Sequence, residues 1–136
     1  MLLHEWMNAQ ETPVGIGVDM VCISEFRALD ERLNGVLVRR TFTKGEQQEA
    51  MHAADRWSYL AGRFAVKEAV FKAVAQHTSE KTFDFRIVET LSHEDGSPHI
   101  TLTDPLKAVM DAAGVSKLLV SISNEADFAI AFVQAI

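Results

Sequence analysis

The sequence predicts an α+β single domain in which one long buried helix lies against a small, mainly antiparallel sheet. Three observations carry this. Trp57, Leu60, Ala61, Phe64, Ala65, Val70, Ala73 and Val74 recur near helical period, in a stretch that holds no proline and, among glycines, only Gly62. Short apolar runs bounded by turn residues lie toward both ends of the chain. Strands and helices do not alternate in the regular order that a parallel sheet requires.

The chain has 136 residues, of which 48% are hydrophobic and 24% charged, so one packed core is expected and disorder is not. Residues 1–12 are expected to form a loosely held tail before a domain over 13–136. Pro13 to Val21 predicts a first strand, with Val14, Ile16, Val18 and Met20 on one face and Gly15, Gly17 and Asp19 on the other. Ser24 is placed as the N-cap of a short helix whose apolar face is Phe26, Leu29 and Leu33. Thr43 with Glu46 three residues on forms a capping-box signature for a second short helix. The long helix follows, over about 55–75.

Thr82 to Thr90 alternates as a strand, with Phe83, Phe85 and Ile87 opposite Asp84, Arg86 and Val88. Asp95-Gly96-Ser97-Pro98 is a turn, and His99 to Thr103 a further strand. Asp104-Pro105 opens a helix that Gly114 closes. Lys117–Ser123 and Phe128–Ala135 then pair as a terminal hairpin. Phe128 to Val133 is apolar on both faces, so that strand is central or covered by another subunit.

Several function classes are disfavoured. Thirteen basic residues against 19 acidic ones leave a net charge of −6, which argues against nucleic-acid binding. No apolar run approaches the roughly 20 residues of a membrane span. The N-terminal segment lacks a basic region before its apolar cluster, so no secretory signal is expected and a cytoplasmic location is. Cys22 stands alone and the five histidines show no i, i+4 pairing, so a zinc site is not expected.

Asp19 and Glu68 are the candidate metal ligands. Asp19 ends a strand on its bare, glycine-bearing face, where an ion or ligand could approach; an aspartate capping the next turn is the simpler reading. Lys67, Glu68 and Lys72 interrupt an otherwise apolar helix. Glu68 and Lys72 have the spacing of an ordinary surface pair, yet Phe64, Ala65, Val66, Ala69, Val70 and Phe71 surround them. Two carboxylates suit magnesium, with phosphate oxygens and waters completing the shell. Arg63, Lys67 and Lys72 would face the same phosphates.

Three segments in order resemble the signature of bacterial holo-[acyl-carrier-protein] synthases: GIGVD from Gly15, LAGRFAVKEAVFKA from Leu60 and SISNEADFAIAFV from Ser121. The resemblance implies a 4′-phosphopantetheinyl transferase fold and transfer of 4′-phosphopantetheine from coenzyme A to a serine of an apo acyl carrier protein, releasing 3′,5′-ADP. It implies Mg²⁺ on Asp19 and Glu68, and Asp19, Glu68 and Lys72 as the catalytic group. Coenzyme contacts are implied for Arg63, Lys67, Lys72, Gly96, Pro98, Ser123 and Asn124, as is a homotrimer with active sites between subunits. Asn124 stands where many relatives carry histidine, Ser97 replaces a basic residue, and Glu25 replaces an arginine that docks acidic carriers. Arg27, Arg32, Arg39 and Arg40 are then the expected docking patch. A homologue that binds coenzyme or carrier without turnover is the alternative.

Overall fold

From the N-terminus the chain runs through β1 (Gly15–Cys22), α1 (Ile23–Arg32), α2 (Val36–Thr41), α3 (Lys44–His52) and α4 (Arg56–Ala75). After a 3₁₀ turn at Phe85–Ile87 come β2 (Glu89–Ser92), β3 (Pro98–Thr101), α5 (Asp104–Ala113), β4 (Leu118–Glu125) and β5 (Phe128–Ala135). The computed structural model describes residues 14–75 and 84–136, so the expected N-terminal tail lies outside it.

β5 is the central strand of an antiparallel sheet ordered β1–β5–β4, and β2 pairs with β3 as a separate hairpin. The expected terminal hairpin is present, and the doubly apolar last strand is central. The inner face of β5 presents Ala129, Ala131, Val133 and Ala135, all fully buried. Small residues there let α4 approach the sheet closely. Its Ala65, Val66, Ala69, Val70, Ala73 and Val74 form the core with that strand, Leu106 and Met110 of α5, and Val88. A second cluster gathers Ile23, Phe26, Val38, Phe42, Leu60 and Ala61 around the start of α4.

The alternation of β1 is as expected, with an outcome opposite to the usual one. Val14, Ile16, Val18 and Met20 are 40%, 60%, 54% and 61% exposed, while the glycine face packs on α4. A methyl group built on Gly17 would stand 1.9 Å from the Ala69 carbonyl oxygen. Only a residue without a side chain lets β1 lie on the helix at that depth. Leu119, Phe128 and Phe132 continue the exposed apolar face across the sheet.

Four local expectations need correction. α1 starts at Ile23, so Cys22 rather than Ser24 occupies the cap position, and the capping group comes from Asp127, far along the chain. Of its expected apolar face only Phe26 is buried; Leu29 and Leu33 are 38% and 44% exposed. Residues 36–41, not expected to be helical, form α2, whose Val38 N–H is capped by the buried Asp30 carboxylate at 3.0 Å. Among the described residues of the strand expected over 82–90, only Glu89 and Thr90 are in a strand. Asp84 accepts the Arg86 N–H and bends the chain into the 3₁₀ turn, and Lys67 takes the carbonyls of Phe85 and Val88 that a ladder would have used. Thr82 and Phe83 lie outside the described residues. The capping box is formed as expected: Thr43 accepts the Glu46 N–H and Glu46 accepts the Thr43 N–H. Gly114, at φ 72°, closes α5.

The close approach at Gly17 has a measurable consequence. Gly17→Ala is expected to destabilise the chain by about 3 kcal/mol or more in urea denaturation, because backbone on both sides must move. Gly62→Ala is the control: its methyl would meet a movable Ile122 methyl at 3.2 Å, and helix propensity favours alanine. The variant should stay within about 1 kcal/mol of the parent. Equal losses at both positions would refute the special role of Gly17.

Candidate active site

Lys67 and Glu68 are adjacent on α4 and diverge by about a quarter turn, because successive helical residues are rotated by roughly 100°. Lys67 points inward and is fully buried. Its Nζ donates to Glu46 Oε1 at 2.8 Å, to the Phe85 carbonyl at 2.9 Å and to the Val88 carbonyl at 2.6 Å. Burial draws the lysine pKa down while Glu46 raises it. Three acceptors match the three N–H bonds that only the ammonium form possesses. The Glu46 carboxylate in turn accepts the Thr90 N–H at 3.1 Å. The expectation set Lys67 toward phosphate; in the structure its ammonium has no exposed surface, and its three donors join α3, α4, the 3₁₀ turn and the start of β2.

Glu68, about a quarter turn round the helix, faces a cleft of about 440 Å³ that it shares with Asp19, Lys72, Glu25, Phe26, Leu29, Leu37 and Phe64. β1 brings Asp19 there on its glycine face, and α4 brings Glu68 and Lys72 one turn apart. Lys72 does not pair with Glu68 in the manner of a surface helix. Its Nζ donates instead to the Val18 carbonyl at 2.9 Å and to Asp19 Oδ1 at 3.2 Å. Burial, and then the negative charge of Asp19, push the Glu68 carboxyl above its ordinary range, with Lys72 opposing. Asp19 and Glu68 thus lie together in a cleft that Glu25 also lines, and Lys72, the one basic side chain among its lining residues, already serves Asp19. Hard oxygen donors with room for further ligands suit a divalent cation that keeps waters and phosphate oxygens. Among the described residues no group of three or more histidine, cysteine or acidic side chains could hold a metal.

The remaining predicted residues lie elsewhere. Arg63 packs its guanidinium 3.9 Å over the Tyr59 ring and donates from Nη2 to Ser92 Oγ at 2.7 Å. Ser92 is the strand partner of Pro98, so Arg63 sits beneath the hairpin whose turn contains Gly96. A larger cavity of about 740 Å³, lined by Glu49, His52, Tyr59 and Ser92 among others, lies beside it; it contains neither Asp19 nor Glu68. Ser123 and Asn124 are on β4, separated from β1 by the width of β5. One chain therefore brings Asp19, Glu68 and Lys72 together, and leaves Arg63 with Gly96 and Pro98, and Ser123 with Asn124, as separate groups. Of the four arginines expected to form a docking patch, Arg27 is paired with Glu31 at 2.9 Å and Arg39 donates to the Asn34 carbonyl at 3.0 Å.

A family model for the 4′-phosphopantetheinyl transferase superfamily matches residues 15–133. The chain belongs to that superfamily. It is 36% identical over 123 residues to a holo-[acyl-carrier-protein] synthase of Desulforudis audaxviator, covering 90% of this chain and 92% of the relative. The crystal structure of a holo-[acyl-carrier-protein] synthase from Neisseria meningitidis superposes with a TM-score of 0.81 at 30% identity, over 92% of this chain and 99% of that one. The Helicobacter pylori synthase, solved in complex with coenzyme A, gives a TM-score of 0.75 at 30% identity, over 89% of this chain and 99% of that one. The resemblance read from the sequence holds, and the chain is a phosphopantetheinyl transferase. No helix among the described residues is long and apolar enough to cross a membrane.

The crowding of carboxylates fixes a stability effect. Because folding raises the Glu68 pKa, the folded chain binds the proton more tightly than the unfolded one. Metal-free stability is then lost as pH rises from the ordinary value of 4.5 through the raised one, and the penalty is complete above it. Without magnesium, Glu68→Gln should melt at a higher temperature than the parent at neutral pH. The gap should close below the ordinary value, where both side chains are neutral. A lower melting temperature at neutral pH would show that the chain itself compensates the Glu68 charge.

Proposed function

We propose that this transferase moves 4′-phosphopantetheine from coenzyme A to a serine of an apo acyl carrier protein, releases 3′,5′-ADP and depends on Mg²⁺ held by Asp19 and Glu68. The observation that carries the reading is the convergence of Asp19, Glu68 and Lys72 on one cleft, in a chain of this family. The coenzyme A complex of the Helicobacter pylori relative supports the donor, and the relatives' names support the acceptor. The ion would supply positive charge toward the pyrophosphate of the coenzyme. In the transfer, the serine oxygen bonds to the phosphorus attached to pantetheine as the bond to the departing 3′,5′-ADP breaks, and the hydroxyl proton is released to water. Such reactions draw most of their acceleration from positioning and charge neutralisation rather than covalent catalysis. Lys72 is the side chain that supplies charge here, and its bond to the Val18 carbonyl aims it across the strand end.

The same reading accounts for the exposed apolar sheet face. Val14, Ile16, Val18, Met20, Leu119, Phe128 and Phe132 are exposed on one face of the sheet, and a contiguous exposed apolar face of this kind marks an interaction surface. We assign it to contact between three copies of the chain. Ser123 and Asn124 would then reach coenzyme A bound at a neighbour's Asp19 and Glu68, and Arg63 with Gly96 and Pro98 would meet another part of that coenzyme. Glu25, a third carboxylate on the cleft, favours a second reading in which ligands bind without turnover.

Turnover separates the two readings. With coenzyme A, magnesium and an apo carrier, the parent protein should add phosphopantetheine to the carrier, read as intact mass. Asp19→Ala and Glu68→Ala, shown to be folded, should each lose about 100-fold or more in rate, as when a group stabilising the transition state is removed. Near-parental rates in either variant would remove the metal assignment, and a parent that leaves the carrier unmodified would favour the second reading. Sedimentation should report a trimer at micromolar concentration; a stable monomer would refute the shared site.

A further inference from the structure

The N-terminus of α1 is not capped by its own sequence. Cys22, which precedes the helix, makes no side-chain cap bond. The groups that need partners there turn instead to the loop between β4 and β5. The Asp127 carbonyl accepts the Ile23 N–H at 2.7 Å. The Asp127 carboxylate accepts the Ser24 N–H at 3.1 Å, the Cys22 thiol at 3.3 Å and the Ser24 hydroxyl. An ionised carboxylate at this end satisfies open N–H groups and opposes the positive pole of the helix. The Ser24 hydroxyl, and after it the Cys22 thiol, hold the Asp127 carboxyl below the usual range, so the capping form is the ionised one.

The place of this cap gives it significance. Asp127 belongs to the two-residue loop between the paired residues Glu125 and Phe128. Its neighbour Ala126 has φ 51°, a left-handed conformation unusual for alanine, so the loop holds a defined shape. The strand leading into that loop carries Ser123 and Asn124. On the other side, α1 supplies Glu25, Phe26 and Leu29 as a wall of the Asp19–Glu68 cleft. Its C-terminal half is tied to α2 through Asp30 and Val38. Asp127 ties its N-terminal end to the sheet.

We infer that Asp127 is a positioning residue: it sets how α1 walls the cleft and couples that wall to the hairpin bearing Ser123 and Asn124. The inference rests on the proposed carrier modification, in which a macromolecular acceptor must reach the cleft across its rim, and α1 forms an exposed part of that rim. On α1, Glu25 and Leu29 of that wall are exposed to solvent, as is Arg32. Asp19 and Glu68, by contrast, are placed by the contact of β1 with α4 at Gly17, in which Asp127 takes no part. The β4–β5 ladder holds Ser123 and Asn124 without the Asp127 side chain, so loosening α1 should affect the acceptor and spare the metal and the coenzyme.

The test is Asp127→Ala beside Asp127→Asn, whose amide oxygen still accepts the Ser24 N–H. In Asp127→Ala the KM for apo carrier should rise about tenfold, while kcat and the dissociation constant for coenzyme A stay within about twofold. Amide hydrogen exchange over residues 24–29 should accelerate in the same variant, and Asp127→Asn should restore most of both effects. An unchanged carrier KM in Asp127→Ala would overturn the inference. A parallel fall in kcat and coenzyme affinity would overturn it too, since that is what general loosening produces. If the parent modifies no carrier, the proposed function fails instead. The exchange rates then decide the cap alone, and unchanged rates over 24–29 in Asp127→Ala would dismiss it.

Discussion

The contact on which the rest depends is that of β1 with α4 at Gly17, where the strand backbone takes the space a side chain would need. At this depth the Ala69 carbonyl stands where a Cβ would be, and the Ala73 amide nitrogen lies 3.0 Å from that point. Two residues further along the same strand face comes Asp19, and beside Ala69 on the helix comes Glu68. The two carboxylates share a cleft because the elements that carry them cannot lie further apart without emptying the core. Alanines at 65, 69 and 73 on the helix, and at 129, 131 and 135 on β5, serve the same close packing. The result is a pair of like charges held together by apolar packing, with the Glu68 pKa raised first by burial and then by the charge of Asp19.

α4 carries two lysines with different tasks. Lys67, with no exposed surface, joins Glu46 and two carbonyls; breaking such a buried pair by removing one partner costs about 3–5 kcal/mol. Lys72 is half exposed and pairs with Asp19 at the cleft. The first holds α3 and the β2–β3 hairpin against the helix; the second places its charge on the cleft that it shares with Asp19 and Glu68. Both belong to one signature segment, so membership of that segment does not by itself give a residue's role.

Much of this was legible in the sequence, for identifiable reasons. α4, the terminal hairpin, α5 and the Thr43–Glu46 capping box are set by short-range pattern, and each was read correctly. Asp19, Glu68 and Lys72 were singled out because charges on an apolar helix and an acid on a glycine-bearing strand face are unusual. What the sequence did not yield involves partners distant in the chain. Asp127 caps a helix 103 residues away, and its own neighbourhood shows only a hairpin loop. Lys67 differs from Lys72 only in its direction around the helix and in the arrival of Glu46 from 21 residues upstream. α2 was missed because the carboxylate that caps it, Asp30, lies in the preceding helix. The strand expected over 82–90 is confined, among the described residues, to Glu89 and Thr90 because Lys67 claims its carbonyls, an interaction invisible to alternation.

The central claim is that this packing builds a divalent-cation site from Asp19 and Glu68. Anomalous diffraction from crystals grown with manganese and coenzyme A tests it most directly, since manganese takes the same hard oxygen ligands as magnesium and its position can be read without ambiguity. The account predicts a peak bonded to a carboxylate oxygen of both residues and to a phosphate oxygen of the coenzyme. A peak bonded to neither carboxylate, with coenzyme A present in the same crystal, would contradict it.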